Sequence, residues 1–173
     1  MRTSSLEQFS EFDNDCRVWC YAFVESLSPQ QVVVVEKALD DFLSEWKSHG
    51  TVMKGCYQLL ENRFAVILLE QDQDISGCSI DSSVAVFKTL KYNHGLDALE
   101  RSRVFYRSPA GQILVSSRTN FSSLCRRGEI ETTTSVFNML PTSLLELRNQ
   151  GGLEMPFKDS WHAQAFRLAS ASN

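Results

Sequence analysis

The stretch Val52-Met53-Lys54-Gly55-Cys56-Tyr57-Gln58-Leu59-Leu60-Glu61-Asn62-Arg63-Phe64-Ala65-Val66-Ile67-Leu68-Leu69-Glu70 reads as two strands, 52–60 and 64–70, joined by a short polar turn at Glu61-Asn62-Arg63. Two apolar runs around a brief polar break are the signature of a β-hairpin. The second run has no polar residue from Phe64 to Leu69, so it is expected at the centre of a sheet, covered on both faces. Upstream, residues 17–24 (RVWCYAFV) are aromatic and β-branched and form another expected strand. Between them, Ser28-Pro29-Gln30-Gln31 supplies an N-cap serine, a proline at the first helical position and a glutamine at the third, a capping box. Val35, Leu39, Phe42 and Trp46 then recur at helical spacing on one face, and Gly50 is the expected C-terminal cap.

Downstream, 71–77 is a polar loop and a second helix is expected over 79–93, with Ile80, Val84, Phe87 and Leu90 buried and Gly95 ending it. Residues 103–107 and 112–116 form a second hairpin around Pro109-Ala110-Gly111, and 121–127 a short helix closed by Gly128. The resulting order, β-α-β-β-α-β followed by one more strand and helices, predicts an α+β fold: a ferredoxin-like (split βαβ, antiparallel sheet) core with a C-terminal β/α extension over the sheet face the helices leave open. The expected organisation is a flexible N-terminus at 1–13, a single α+β domain over 14–166 and a flexible tail at 167–173.

At 173 residues such a chain can bury roughly 70% of its unfolded surface, so no metal or disulfide is required for a core. The net charge of −4 argues against nucleic acid as a partner. The only candidate basic patch, Arg101, Arg103, Arg107, Arg118, Arg126 and Arg127, is interleaved with Glu100, Glu129 and Glu131, as on a solvated surface. The longest apolar run falls far short of the ~20 residues that span a bilayer, and the N-terminus carries no apolar signal core, so no membrane association and a cytoplasmic location are expected. Five cysteines, an odd and sparse number, fit a reducing compartment.

Gly50 and Gly55 stand at Walker A spacing, but Lys-Ser/Thr is missing and a strand follows, so this is no nucleotide loop. Cys16 and Cys20 lie about 13 Å apart along an extended strand, too far to chelate one ion, and neither a metal nor a cofactor is expected. His49 and His94 each precede a helix-ending glycine, where an imidazole favours the helix dipole. The sharper feature is Ser76-Gly77-Cys78-Ser79-Ile80-Asp81-Ser82-Ser83. Gly77 allows a sharp entry into the second helix, and the unpaired N–H groups of Cys78, Ser79 and Ile80 at a positive dipole end suit an anion or an activated thiolate. Asp81 would oppose an anion if it pointed inward, and the serines can equally well cap the helix.

The same positions, together with Arg17-Val18-Trp19, Trp46-x-x-His49-Gly50, Val136-Phe137-Asn138 and Ser160-Trp161-His162, resemble a family of short bacterial proteins of unknown function with a GCSID motif, often labelled "ABC transporter ATPase". The resemblance covers roughly residues 15–166. The label conflicts with the residues, since an ATPase of that class needs a Walker A loop and a Walker B carboxylate. What the resemblance implies is a shared pocket, because the family's recurrent polar and aromatic positions fall on His49, Cys78, Ser79, Asp81, Asn138, Ser160, Trp161 and His162. The chain departs from the pattern at Met139, where a second asparagine is expected.

Two functions remain open on these residues. The first is a pocket for a small anionic ligand or peptide at the helix N-terminus 77–83, with Gly77, Ser79, Ile80, Asp81, Asn138 and Trp161 binding the ligand. The alternative is a thiol-dependent enzyme, with Cys78 as nucleophile or redox thiol and His49 or His162 as its base. A homodimer formed through an exposed sheet edge or the C-terminal helices is the third expectation.

Overall fold

A computed structural model describes residues 7–48, 51–70 and 77–169. The fold is mixed α+β with antiparallel sheets, and the chain divides into two compact units. The first comprises residues 1–100 and 139–149, the second 101–138 and 150–173.

The first unit is built on β1 (Arg17–Ala22), α1 (Pro29–Glu45), β4 (Gly55–Leu60), β5 (Phe64–Leu69) and α2 (Gly77–His94), with a small ribbon of β2 (Lys47–Ser48) and β3 (Thr51–Val52). The sheet order is β1-β5-β4, and β5 runs antiparallel to both neighbours. The apolar run is therefore central, and all its residues are fully buried. The hairpin turn uses left-handed Glu61 (φ 54°) and Asn62 (φ 49°), and the Arg63 N–H donates to the Leu60 carbonyl at 2.9 Å. At Gly55 a Cβ would come within 2.8 Å of the Leu68 carbonyl oxygen, so only glycine fits where β4 begins to pair with β5.

In register, Trp19 and Tyr21 lie opposite Ile67 and Ala65, which lie opposite Tyr57 and Leu59. This face packs under Val35 and Leu39 of α1 and Phe87 and Leu90 of α2. The other face carries Val18, Val66 and Leu68, also buried. A 3₁₀ turn, Glu7–Phe9, packs beside β4. Helix α4 (Leu144–Asn149) follows a segment bonded to β1: the Val18 N–H donates to the Thr142 carbonyl at 3.0 Å, and the Leu144 N–H to the Cys16 carbonyl at 2.9 Å. Arg148 then donates to the carbonyls of Phe9 (2.8 Å) and Phe12 (3.1 Å) and to Asn14 Oδ1 (2.6 Å). Phe9, Leu144 and Leu147 are fully buried as a result.

The second unit holds a four-stranded sheet, β7-β6-β8-β9, of β6 (Arg103–Arg107), β7 (Ile113–Ser117), β8 (Ser135–Phe137) and β9 (Glu154–Pro156). Helix α3 (Arg118–Arg126) is capped by Ser117, whose Oγ accepts from the Asn120 N–H at 3.2 Å. It buries Phe121 and Cys125 among Val104, Ile130, Val136, Phe157 and Phe166. Arg107, only 8% exposed, donates from Nε (2.6 Å) and a terminal nitrogen (2.7 Å) to the two carboxylate oxygens of Glu154, joining β6 to β9 across β8. Its other nitrogen donates to the Gly111 carbonyl at 3.0 Å.

Several sequence expectations are corrected here. Among the described residues the first sheet has three strands, where a ferredoxin-like core has four. β1, β4 and β5 have the expected neighbours, but the fourth strand, β6, pairs with β7 and β8 in the other sheet. The β1 edge it would have taken is bonded to Thr142 and bridged to Ser143. The first strand of the hairpin is broken at Met53-Lys54, because Thr51–Val52 pairs with β2 instead. Helix α1 ends at Glu45, before Gly50. Trp46 turns extended (ψ 112°), and its carbonyl accepts from the Met53 N–H at 2.9 Å, which starts the β2–β3 ribbon. Gly50 and His49 lie outside the described residues.

Candidate functional site

Helix α2 begins at Gly77, two residues earlier than expected. Gly77, Cys78 and Ser79 are its first described residues, and residues 71–76 before them lie outside the described part of the chain. The side chains of residues 77–81 lie outside the described part of the molecule. The helix itself is well anchored. Ser83 is fully buried, its Oγ 2.8 Å from the Tyr21 hydroxyl, and the Tyr21 ring stacks on Phe87 at 3.8 Å between centroids. Ser83 therefore belongs to the core and not to a hydroxyl nest, and the buried stripe runs Ser83, Phe87, Leu90. Val84 is only half-buried, while Phe87 and Leu90 are buried as expected and Ser83 joins them.

Ser160, Trp161 and His162 are brought together in the second unit. The Ser160 hydroxyl donates to the Phe157 carbonyl at 2.8 Å and accepts from the His162 backbone N–H at 3.2 Å. Its single proton is thus committed, so the 3.1 Å contact with His162 Nδ1 requires the imidazole to donate, leaving Nε2 unprotonated. His162 is 1% exposed and stacks on Trp161 at 4.0 Å. Burial, aided by the Arg118 guanidinium, pushes its pKa down to about 4. At neutral pH this ring is an uncharged hydrogen-bond donor and a weak base. Arg118 lies 5.2 Å from the Trp161 ring and 5.7 Å from that of Phe166, and the indole Nε1 is buried without a partner.

Asn138 is tied by its backbone N–H to the Leu153 carbonyl (2.8 Å) and by Nδ2 to Gln150 Oε1 (2.7 Å). Gly77, Cys78, Ser79, Ile80 and Asp81 belong to the first unit, whereas Asn138, Trp161 and His162 belong to the second. Among the described cysteines, burial raises every thiol pKa, up to about 12 for Cys20 and Cys56, so these thiols are inert near neutral pH. No cluster able to hold a metal ion occurs among the described residues. Three arginines of the candidate basic patch have local partners: Arg107 with Glu154, Arg127 with Glu129 at 2.6 Å, and Arg118 with the aromatic rings. No described helix is long and apolar enough to cross a membrane.

One feature of the first unit was not foreseen. A groove of about 410 Å³ runs along the outer edge of β4, lined by Gln8, Glu36, Asp40, Tyr57, Gln58, Leu59 and Leu60. Glu36 and Asp40, one helical turn apart, flank the buried Val35 and Leu39 and so border the sheet without entering the core. The Tyr57 hydroxyl donates to the Glu36 carbonyl at 3.3 Å. Only strand order reveals that these residues share an edge, and strand order is not encoded locally. Compared with protein-family models, with curated proteins and with solved structures, the chain matches nothing in any of the three.

Proposed function

We propose that this protein is a binding domain that holds a small anionic ligand, a phosphate or carboxylate, at the N-terminus of α2. The observation that carries this reading is the helical backbone of Gly77, Cys78 and Ser79, the first described residues of α2, since the N–H groups and positive dipole end of a helix start favour an anion. The Tyr21–Ser83 bond holds that helix in a fixed rotation, so the amides are preorganised. Ile80 and Asp81, the next residues of α2, form the margin of the site we propose. The setting we propose is cytoplasmic, in keeping with four described cysteines that are free thiols. The fold reading we propose is a ferredoxin-like arrangement reduced to β1, β5 and β4.

The thiol-enzyme reading retains one supporting observation: Cys78 lies among the first described residues of α2, and the dipole at a helix start favours a thiolate. It is weakened by His162, whose imidazole already serves Ser160 and has lost basicity.

Calorimetric titration with inorganic phosphate separates the two. The binding reading expects saturable binding that Cys78→Ser leaves intact. Ser79→Pro should weaken it roughly tenfold, because proline is tolerated in the first turn but removes one charge-assisted donor. No phosphate binding, or binding indifferent to Ser79→Pro, overturns this reading. A Cys78 iodoacetamide-labelling pKa clearly below ~8.5 would favour the thiol reading instead.

A further inference from the structure

We propose that the edge of β4 is a docking site for an extended basic peptide, which adds as a strand beside β4 and places a lysine or arginine against Glu36 and Asp40. The two edges of this sheet are treated differently by the fold. The β1 edge is sealed, with its Val18 N–H bonded to Thr142 and Arg17 bridged to Ser143. β4 pairs only with β5 among the described residues. The Glu70 N–H donates to the Lys54 carbonyl, so residues 54, 56, 58 and 60 turn their backbone groups to β5, and Gly55, Tyr57 and Leu59 turn theirs to the outer side, where a strand of another chain can bond to them. Natural edges are usually blunted by lysine, proline or a bulge, and Gly55–Leu60 contains neither residue and pairs with β5 without interruption.

The groove supplies room and selectivity. Its volume of about 410 Å³ lies directly along Tyr57, Gln58, Leu59 and Leu60, so an added strand would have α1 on one side and the Glu7–Phe9 turn on the other. Glu36 and Asp40 make the α1 side acidic. The neighbouring cation, Lys37, is paired with Asp41 at 2.8 Å and the Asp40 carboxylate is hydrogen-bonded to the Tyr57 side chain, so Glu36 and Asp40 leave this rim with an excess of negative charge. A second copy of this chain would set two acidic rims together, which disfavours self-pairing through this edge. A basic strand satisfies the backbone and the charges at once.

The test uses the full chain and a short synthetic peptide of alternating lysine and valine. Fluorescence anisotropy should show binding that falls with added salt. Glu36→Gln with Asp40→Asn should weaken it roughly tenfold, about threefold for each charge removed. The same peptide with proline at alternate positions should bind at least tenfold more weakly, because it cannot donate ladder bonds. Amide exchange of Tyr57 and Leu59 should slow only when the all-lysine/valine peptide is present. Absence of binding overturns the proposal, as does equal binding by the proline peptide or by the charge variant. Slow β4 amide exchange in the free protein, accompanied by a dimeric mass, would assign the edge to a second copy and overturn it as well. Ser79→Pro leaves this binding unchanged, so its outcome is independent of the anion site.

Discussion

His162 shows how a residue chosen for its chemistry can be used for its shape. Its ring is buried among Trp161, Phe121 and Phe166, and its Nδ1–H is committed to Ser160. The folded-state pKa of about 4 lies below the ordinary 6.5. As pH falls, the unfolded chain therefore takes up the proton first. The stability that depends on a neutral imidazole is complete above about pH 6.5 and is lost as pH drops towards 4, by on the order of 3 kcal/mol. Urea unfolding at pH 7 and pH 4 should show a loss larger by about that amount in the native protein than in His162→Gln; an equal loss in both would mean the ring titrates normally. The family resemblance singles out Ser160, Trp161 and His162 as expected pocket residues, whereas Ser160 and His162 are buried. The sequence does not show that Ser160 spends its proton on the Phe157 carbonyl, and that bond decides which nitrogen of His162 is free. Ser83 illustrates the same limit: a hydroxyl next to Cys78 in sequence reads as a site donor, but the Tyr21 hydroxyl claims it for the core.

At the scale of elements, the start signals are local and legible and the stop signals less so. Ser28 accepts from the Gln31 N–H (3.3 Å), and Gln31 Oε1 accepts from the Ser28 N–H (2.8 Å), as the residue pattern alone predicts. Ser28→Ala should cost about 1 kcal/mol of unfolding free energy, measured as a shifted urea midpoint with an unchanged slope, because it orphans a helix N–H without altering the buried face of α1. The end of α1 depends on a partner strand. Trp46 leaves the helix because its carbonyl accepts from Met53, and nothing within residues 29–50 announces that. The rotation of α2 was likewise set from outside, by Tyr21 of β1 and its stacking on Phe87.

At the scale of the whole molecule, the chain returns to its first unit after contributing to the second. Residues 139–149 bring Leu144, Leu147 and Arg148 back to the segment that precedes β1. A fragment ending at Glu100 lacks this cover and leaves apolar sheet surface exposed, so it should aggregate or melt without cooperativity by circular dichroism. Rejoining residues 139–149 through a flexible linker should restore a sigmoidal transition. A cooperative melt of the fragment alone would show the returning segment to be dispensable.

The sequence by itself determined the α+β class, the central position of the all-apolar strand, the turn at Glu61-Asn62-Arg63 and the start of α1. Each of these follows from residue spacing or backbone preference within a few positions. Only the tertiary structure decided that β6 leaves the first sheet, that Thr142 and Ser143 occupy the β1 edge, that Ser83 faces the core and that β4, which pairs with β5 alone among the described strands, lies beside Glu36 and Asp40. These outcomes turn on which of several competing partners a strand or side chain meets, and that competition is settled by contacts between residues far apart in the chain.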